Sequence, residues 1–241
     1  MNSRKKGRSL AKFSLFGRRS AASLAAADSV VVIGLGRFGS ALAQELMQSG
    51  TEVLGIDADE AVVQAHNGLL THVVRADSTQ EEVLRQLSVP EFSCAVVAIG
   101  GDIQANILTA SLLLKLGIPK IWAKAVSDPH GEILTQIGVQ HVIYPEKDMG
   151  KRVAHLVRGS MQDYIEIGEN FALVKTTPPS VVIGRPLAET RVRAIYGVTV
   201  TAFHRPDVGW SYTNVDTVLL DGDVILVAGQ SQKVEAFSLL R

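Results

Sequence analysis

The chain has 241 residues, enough to bury a core and to form one large or two small domains. It is 46% hydrophobic but has no apolar run of about 18 residues, the length a membrane-spanning helix needs, so it reads as globular and cannot itself form an ion pore. The formal net charge of zero hides an asymmetry. Residues 1–28 carry Arg4, Lys5, Lys6, Arg8, Lys12, Arg18 and Arg19 against Asp28 alone, leaving 17 basic and 23 acidic residues in the remainder, a balance that argues against broad nucleic-acid binding by the folded part.

Residues 1–28 read as a basic, disordered arm, with attraction to an anionic membrane surface or partner as the alternative. From Ser29 to about Ile143, apolar strands alternate with helical segments, the pattern of right-handed βαβ crossovers on a parallel, doubly wound sheet. Strands are predicted near 30–33, 52–56, 72–75, 94–99, 120–125 and 141–143. Helices are predicted near 37–49, 58–67, 79–87, 102–116, 128–137 and 147–158. Gly50, Gly68, Gly117 and Gly138 act as helix stops, Asp128–Pro129 opens a helix, and Pro145 interrupts the chain after a strand. The lone Cys94 excludes an internal disulfide and agrees with a reducing, cytoplasmic compartment; it is expected to pack in its strand. Beyond Met161 the runs YIEIG, FALVKTT, VTVTAF and DGDVILVAG surround one helix at about 186–196, which predicts a small α+β lobe that pairs with a copy of itself.

The most informative segment is VVVIGLGRFG, an apolar strand entering a G-x-G-x-x-G turn. Gly34 permits the bend, Gly36 lets backbone approach a pyrophosphate, and Gly39 lets helix and strand pack closely. Arg37, beside Phe38, adds a guanidinium where helix amides already serve a pyrophosphate, which points to a further phosphate and to ATP sensing. Asp57, 18 residues after Gly39, fits a ribose carboxylate that disfavours a 2′-phosphate; its alternative is a helix cap. Asp77, Ser78, and the Ala98–Ile99–Gly100 strand end lie at the carboxyl edge of the sheet, where such folds bind ligands. Asp77 is placed to receive an adenine amino group or, with Ser78, to cap a helix. Lys124, at the end of the fifth strand, is a cation on the same edge or a plain surface lysine.

Catalytic equipment is sparse. The six histidines form no HExxH spacing, and neither a G-x-S-x-G elbow nor a Walker loop with Lys-Ser/Thr occurs. The balance favours a sensor over an enzyme, with an NAD(H)-responsive regulator or an NAD-dependent oxidoreductase as alternatives.

GLGRFG, DADE, VAIGGDIQANILT, IPKIWAKA and IGVQHVIYPEKDMG, followed by VRAIYG and DGDVILVAG, resemble the landmarks of the RCK (regulator of potassium conductance) family. The likeness is to the KtrA-type regulatory subunits of Ktr potassium uptake systems and spans about residues 29–239. It implies a Rossmann-like nucleotide-binding lobe over 29–158 that includes a crossover helix, and a C-terminal lobe over 159–241. It further implies dimers closing into an octameric ring, at the inner face of the membrane, under a potassium-translocating subunit of the KtrB type. ATP would favour the active form and ADP the inactive one. The arginine of GRFG would reach the terminal phosphate near a dimer interface. Glu146 would help hold a divalent cation, magnesium or calcium; otherwise it is a helix-start acid favoured by the helix dipole. Some members bind cyclic di-AMP in the C-lobe, where Val182, Ile183, Arg193 and Tyr196 occupy the comparable stretch. The chain departs from the pattern at Asp59, where an asparagine is familiar, in GRPLAET, and in the length of its basic arm.

Overall fold

Val30 to Ile33 is apolar at every position because the strand it forms has a covered face on either side. In the computed structural model, which describes residues 29–240, β1 (Ser29–Ile33) pairs in parallel with β2 (Glu52–Asp57) and with β4 (Cys94–Val97). Val31 and Ile33 enter one buried cluster with Leu54, Ile56, Ala95 and Ile121, while Val32 enters another with Leu35, Ala43, Val53 and Leu70. Such two-sided burial is the signature of a parallel sheet with helices on both faces. With β3 (His72–Arg75), β5 (Lys120–Lys124) and β6 (His141–Ile143) the sheet order is β3-β2-β1-β4-β5-β6. That order reverses beside β1, and ligands bind such sheets in the crevice outside the strand ends at this point.

The intervening helices are α1 (Arg37–Gln48), α2 (Glu60–His66), α3 (Glu81–Gln86), α4 (Ile103–Lys115) and α5 (Asp128–Gln136). Gly117 and Gly138 follow α4 and α5 with φ of +79° and +105°, a left-handed conformation that side chains resist, as the helix-stop reading required. Cys94 is half-buried at the start of β4, and burial pushes its thiol up. Pro145 differs from expectation: it begins helix α6 (Pro145–Arg158) rather than interrupting the chain. A proline is tolerated in the first turn because its missing N–H has no intrahelical acceptor there.

The chain divides into two units, the first ending at Pro145 and the second beginning at Glu146, so α6 falls with the second. There Arg152 Nε donates to Asp163 Oδ1 at 2.9 Å and His155 stacks on Tyr164 at 3.9 Å. The second unit is a five-stranded antiparallel sheet in the order β10-β9-β11-β8-β7, from β7 (Met161–Glu166), β8 (Phe171–Thr176), β9 (Val198–Arg205), β10 (Gly209–Tyr212) and β11 (Val224–Gln230). The helix expected over 186–196 is instead two short ones, α7 (Leu187–Thr190) and α8 (Val192–Tyr196), because Arg191 between them takes φ of +50°. Two elements were not expected: the edge strand β10, and α9 (Ser231–Ser238), which buries Val234 and Phe237 in the core of this unit.

Asp223 in the second unit is 1% exposed and accepts a bidentate pair from Arg205, with Nε–Oδ1 at 2.8 Å and Nη2–Oδ2 at 2.7 Å, plus the Leu220 N–H. The guanidinium holds this carboxyl below its ordinary range, so the stability it supplies is present above the unfolded value of about 3.9 and is lost as pH falls through the folded value. Thermal melts should therefore show Asp223→Asn less stable than wild type at neutral pH, with the gap narrowing under acid. A gap that is constant with pH would refute the pairing.

Candidate functional site

At the reversal point, main-chain bonds stitch the strand exits together: Gly34 N–H donates to Ile56 O at 2.8 Å, Ala98 N–H to Ile33 O at 2.7 Å and Ala76 N–H to Asp57 O at 2.9 Å. The glycines answer to different constraints. A Cβ on Gly39 would lie 1.9 Å from Gly34 O, so the first turn of α1 touches the loop directly. Gly34 has φ of +91°, and a Cβ there would come within 2.8 Å of Ile99 N. A Cβ on Gly36, by contrast, meets nothing within 4 Å. The space above Gly36 is open, as backbone approach of a ligand needs.

Gly36 is also the N-cap of α1, and no side chain caps that helix. Neighbouring α2, α4 and α5 are capped by Asp59, Asp102 and Ser127, while α3 shares the uncapped state. The leading amides of α1 therefore keep donors for an incoming acceptor. Asp57 is half-buried, its Oδ2 accepting the Leu35 N–H at 2.7 Å and its Oδ1 the Asp59 N–H at 2.9 Å. The capping role weighed for Asp57 belongs to Asp59, whose Oδ1 accepts the Ala61 N–H at 2.7 Å. Asp57 instead locks the glycine loop to the end of β2.

A cleft of about 310 Å³ opens here, lined by Gly34, Gly36, Asp57, Asp77, Ser78, Ala98, Ile99 and Gly100 among the residues singled out in the sequence. The volume is at the low end of the range for small-molecule sites, about 300–1,000 Å³. Asp77 is exposed and accepts from Thr79 N–H at 3.0 Å, Thr79 Oγ1 at 2.6 Å and Gln80 Nε2 at 2.9 Å, bonds that hold its carboxyl below the ordinary value. It makes a local turn and does not cap α3, whose N-cap is Gln80. Ser78 is buried, with its hydroxyl 2.8 Å from Thr109 Oγ1.

Arg37, Phe38, Gly39, Asp59 and Lys124 are not in the cleft lining. Arg37 is exposed and has no side-chain hydrogen bond or ion pair among the described residues. Lys124 is not the surface lysine of the alternative reading: it is 8% exposed, its ammonium lies 5.9 Å from the Phe38 ring centre, and a Cβ on Gly100 would stand 3.0 Å from its Nζ. Glu146 lies in the first turn of α6 with Asp148, where the helix dipole favours acids. Among the described residues no three His, Cys, Asp or Glu side chains group as a metal site. In the second unit Arg193 lines a separate cleft of about 440 Å³, Val182 is buried, and Tyr196 packs edge-on against Phe237 at 5.4 Å. The sequence reading had passed over Ala58, Ala76, Thr79, Gly101, Asp102 and Ala105, which also line the first cleft. Gly101, Asp102 and Ala105 fall in GGDIQA, where paired glycines before the Asp102 cap leave backbone open at the cleft.

Residues 30–145 match the TrkA-N domain family and residues 171–240 the TrkA-C domain family. Ktr system potassium uptake protein C of Bacillus subtilis is 37% identical over 86% of this chain and 94% of its own length. Ktr system potassium uptake protein A is 36% identical in Bacillus subtilis, over 86% of this chain and 93% of that one, and 32% identical in Vibrio alginolyticus, over 84% and 93%. Among solved structures, the chain is similar to the RCK domain of GsuK, at 24% identity over 87% of this chain and 45% of that one, with a TM-score of 0.46.

The two glycine positions separate in stability. Gly39→Ala should destabilise the first unit by about 1–3 kcal/mol, the usual penalty of overpacking, whereas Gly36→Ser should melt at or slightly above wild type because serine can cap α1. Equal melting of the two variants would contradict the contacts described.

Proposed function

The chain belongs to the KtrA-type potassium-uptake proteins of the RCK family, built from TrkA-N and TrkA-C domains, and on that premise we propose that it is a nucleotide-sensing regulatory subunit of a potassium transporter. It is a transport regulator rather than an enzyme, as the names of its Bacillus and Vibrio relatives support. The observation that carries the nucleotide reading is the combination of an open approach over Gly36, an uncapped α1, and an Asp57 carboxylate fixed beside both. Pyrophosphate meets the helix amides and glycine loop, ribose hydroxyls donate to the lone pairs left on Asp57, and Asp77 accepts from the adenine amino group.

Arg37 stands outside its own cleft with no protein partner among the described residues, which supports the reading that it serves a terminal phosphate at an interface between copies. Lys124 adds charge on the same edge. Met149, Val153 and Val157 leave an apolar stripe exposed along α6, a surface that a second copy would cover. Dimers of this kind closing into an octamer would sit on the cytoplasmic side of the membrane against a potassium-translocating subunit of the KtrB type. No helix among the described residues is long and apolar enough to cross a membrane itself. ATP favours the active ring and ADP the inactive one, with Glu146 helping to hold magnesium or calcium in the nucleotide-bound assembly. Shifting a two-state balance from 1:99 to 99:1 takes about 5.5 kcal/mol, under about 1 kcal/mol per site around an octamer. A charge-assisted contact of about 1.5–3 kcal/mol from Arg37 supplies that with margin. NAD(H) suits Asp57 equally well and is the second reading. Cyclic di-AMP is the proposed ligand of the C-lobe stretch around Arg193.

Competition binding of ATP, ADP and NADH, with and without magnesium, tests the assignment; NADH displacing ATP at lower concentration would favour the second reading. Calorimetry should find that Arg37→Ala binds ADP nearly as wild type and loses most of its preference for ATP, by roughly tenfold or more. Asp57→Ala should weaken every adenosine ligand alike, and loss of a single nucleotide would contradict the ribose role.

A further inference from the structure

The buried face of α4 is polar at the end nearest the strand exits, with Asn106 and Thr109, and apolar beyond, with Ala110 and Leu113. Asn106 is fully buried, and its Nδ2 donates to two main-chain carbonyls, Ile99 O at 2.7 Å and Lys124 O at 3.1 Å. Thr109 is equally buried and its hydroxyl meets Ser78 Oγ. One helix therefore grips the segments leaving β3, β4 and β5. The Oδ1 of Asn106 has no hydrogen-bond partner among the described residues. An apolar residue at 106 would avoid that penalty, so packing alone does not account for an amide there.

The gripped segments support different parts of the cleft. Ile99 and Ala98 form the surface against which Gly34 rests, since a Cβ on Gly34 would come within 2.8 Å of Ile99 N and 3.0 Å of Ala98 C. Lys124, gripped at its carbonyl by the same amide, carries its ammonium to Gly100 and Phe38. Both belong to the glycine-loop end, where phosphates sit. Ser78 lines the cleft next to Asp77, at the exit of β3.

We propose that Asn106 and Thr109 are positioning residues of the nucleotide cleft: Asn106 fixes its phosphate end through Ile99 and Lys124, and Thr109 its nucleoside end through Ser78. The proposal rests on the nucleotide reading above. Neither side chain lines the cleft; Asn106 holds the backbone of Ile99, which does, and of Lys124 behind it, and Thr109 holds Ser78, which does. Asn106→Asp keeps the shape and removes both donors, so a carboxylate faces two carbonyl oxygens and repels them. Burial raises that carboxyl's pKa, and once protonated it regains one O–H donor.

The test is calorimetric titration of the full chain with adenosine, AMP, ADP and ATP, alongside melting temperatures. Asn106→Asp is expected to weaken ATP and ADP by roughly tenfold while leaving adenosine within about twofold. Its ATP affinity, as a ratio to wild type at the same pH, should recover in part as pH is lowered. Thr109→Val is expected to weaken all four ligands by a similar factor. Should Asn106→Asp fail to fold, Asn106→Ser, which keeps one donor, is held to the same phosphate-dependent loss. A wild-type chain that binds none of the four would sink the nucleotide reading and the positioning roles with it. A wild type that binds them, with Asn106→Asp weakening all four equally and showing no pH recovery, or Asn106→Ser in its place weakening all four equally, would overturn the positioning role alone.

Discussion

The hydrogen bond from Leu35 N–H to Asp57 Oδ2, 2.7 Å long, joins the turn after β1 to the end of β2 and decides where the glycine loop lies. Gly34 leaves its strand with φ of +91°, a conformation that glycine adopts freely but does not enforce, so contacts must hold the loop in it. The carboxylate supplies one from the side, and the close approach of Gly39 to Gly34 O then sets α1 against the loop. The uncapped amides of α1 and the open space above Gly36 follow from that placement. Asp57 therefore orients the loop and still has lone pairs to spare, which makes the β2 end and the glycine-loop end of the cleft mechanically dependent on each other.

The polar groups around the cleft divide by whether their hydrogen-bonding capacity is already taken. Asp59, Asp102 and Ser127 are committed to helix caps, Ser78 to Thr109, and Asn106 to two carbonyls. Arg37 and the first amides of α1 are not so committed. On the proposed nucleotide-sensing role this division would be useful: committed groups would form a frame that holds its shape in either state, and uncommitted ones would respond to the number of phosphates present. Differential response is what a ligand needs to shift a conformational balance.

Much of this was legible in the sequence because parallel sheets write themselves plainly. Strands buried on both faces, glycine helix stops, and a strand ending in G-x-G-x-x-G each have few structural alternatives, so the strands and helices of the first unit were read to within a few residues. The cap weighed as an alternative for Asp57 falls on Asp59, because both stand at a strand-to-helix junction and only the three-dimensional path of the loop separates them. Arg191 broke an expected helix by a left-handed turn that nothing in TRVRAIYG announces. The edge strand β10 and the helix α9 were passed over because GWSY is four residues long and SQKVEAFS is only weakly amphipathic, and both owe their form to packing within the second unit. Asn106 sat inside a quoted landmark, but its role depends on two carbonyls, 7 and 18 residues away in sequence, that no pattern records.

The central claim is that phosphates, not merely an adenosine, are received by the glycine loop and the open end of α1. Amide hydrogen exchange across residues 34–40, compared in the presence of saturating ATP and saturating adenosine, addresses it directly. The account predicts strong added protection of that segment with ATP and little with adenosine, while the segment around Asp57 is protected by both. Equal protection of residues 34–40 by the two ligands, or protection by neither where binding is independently established, would contradict it.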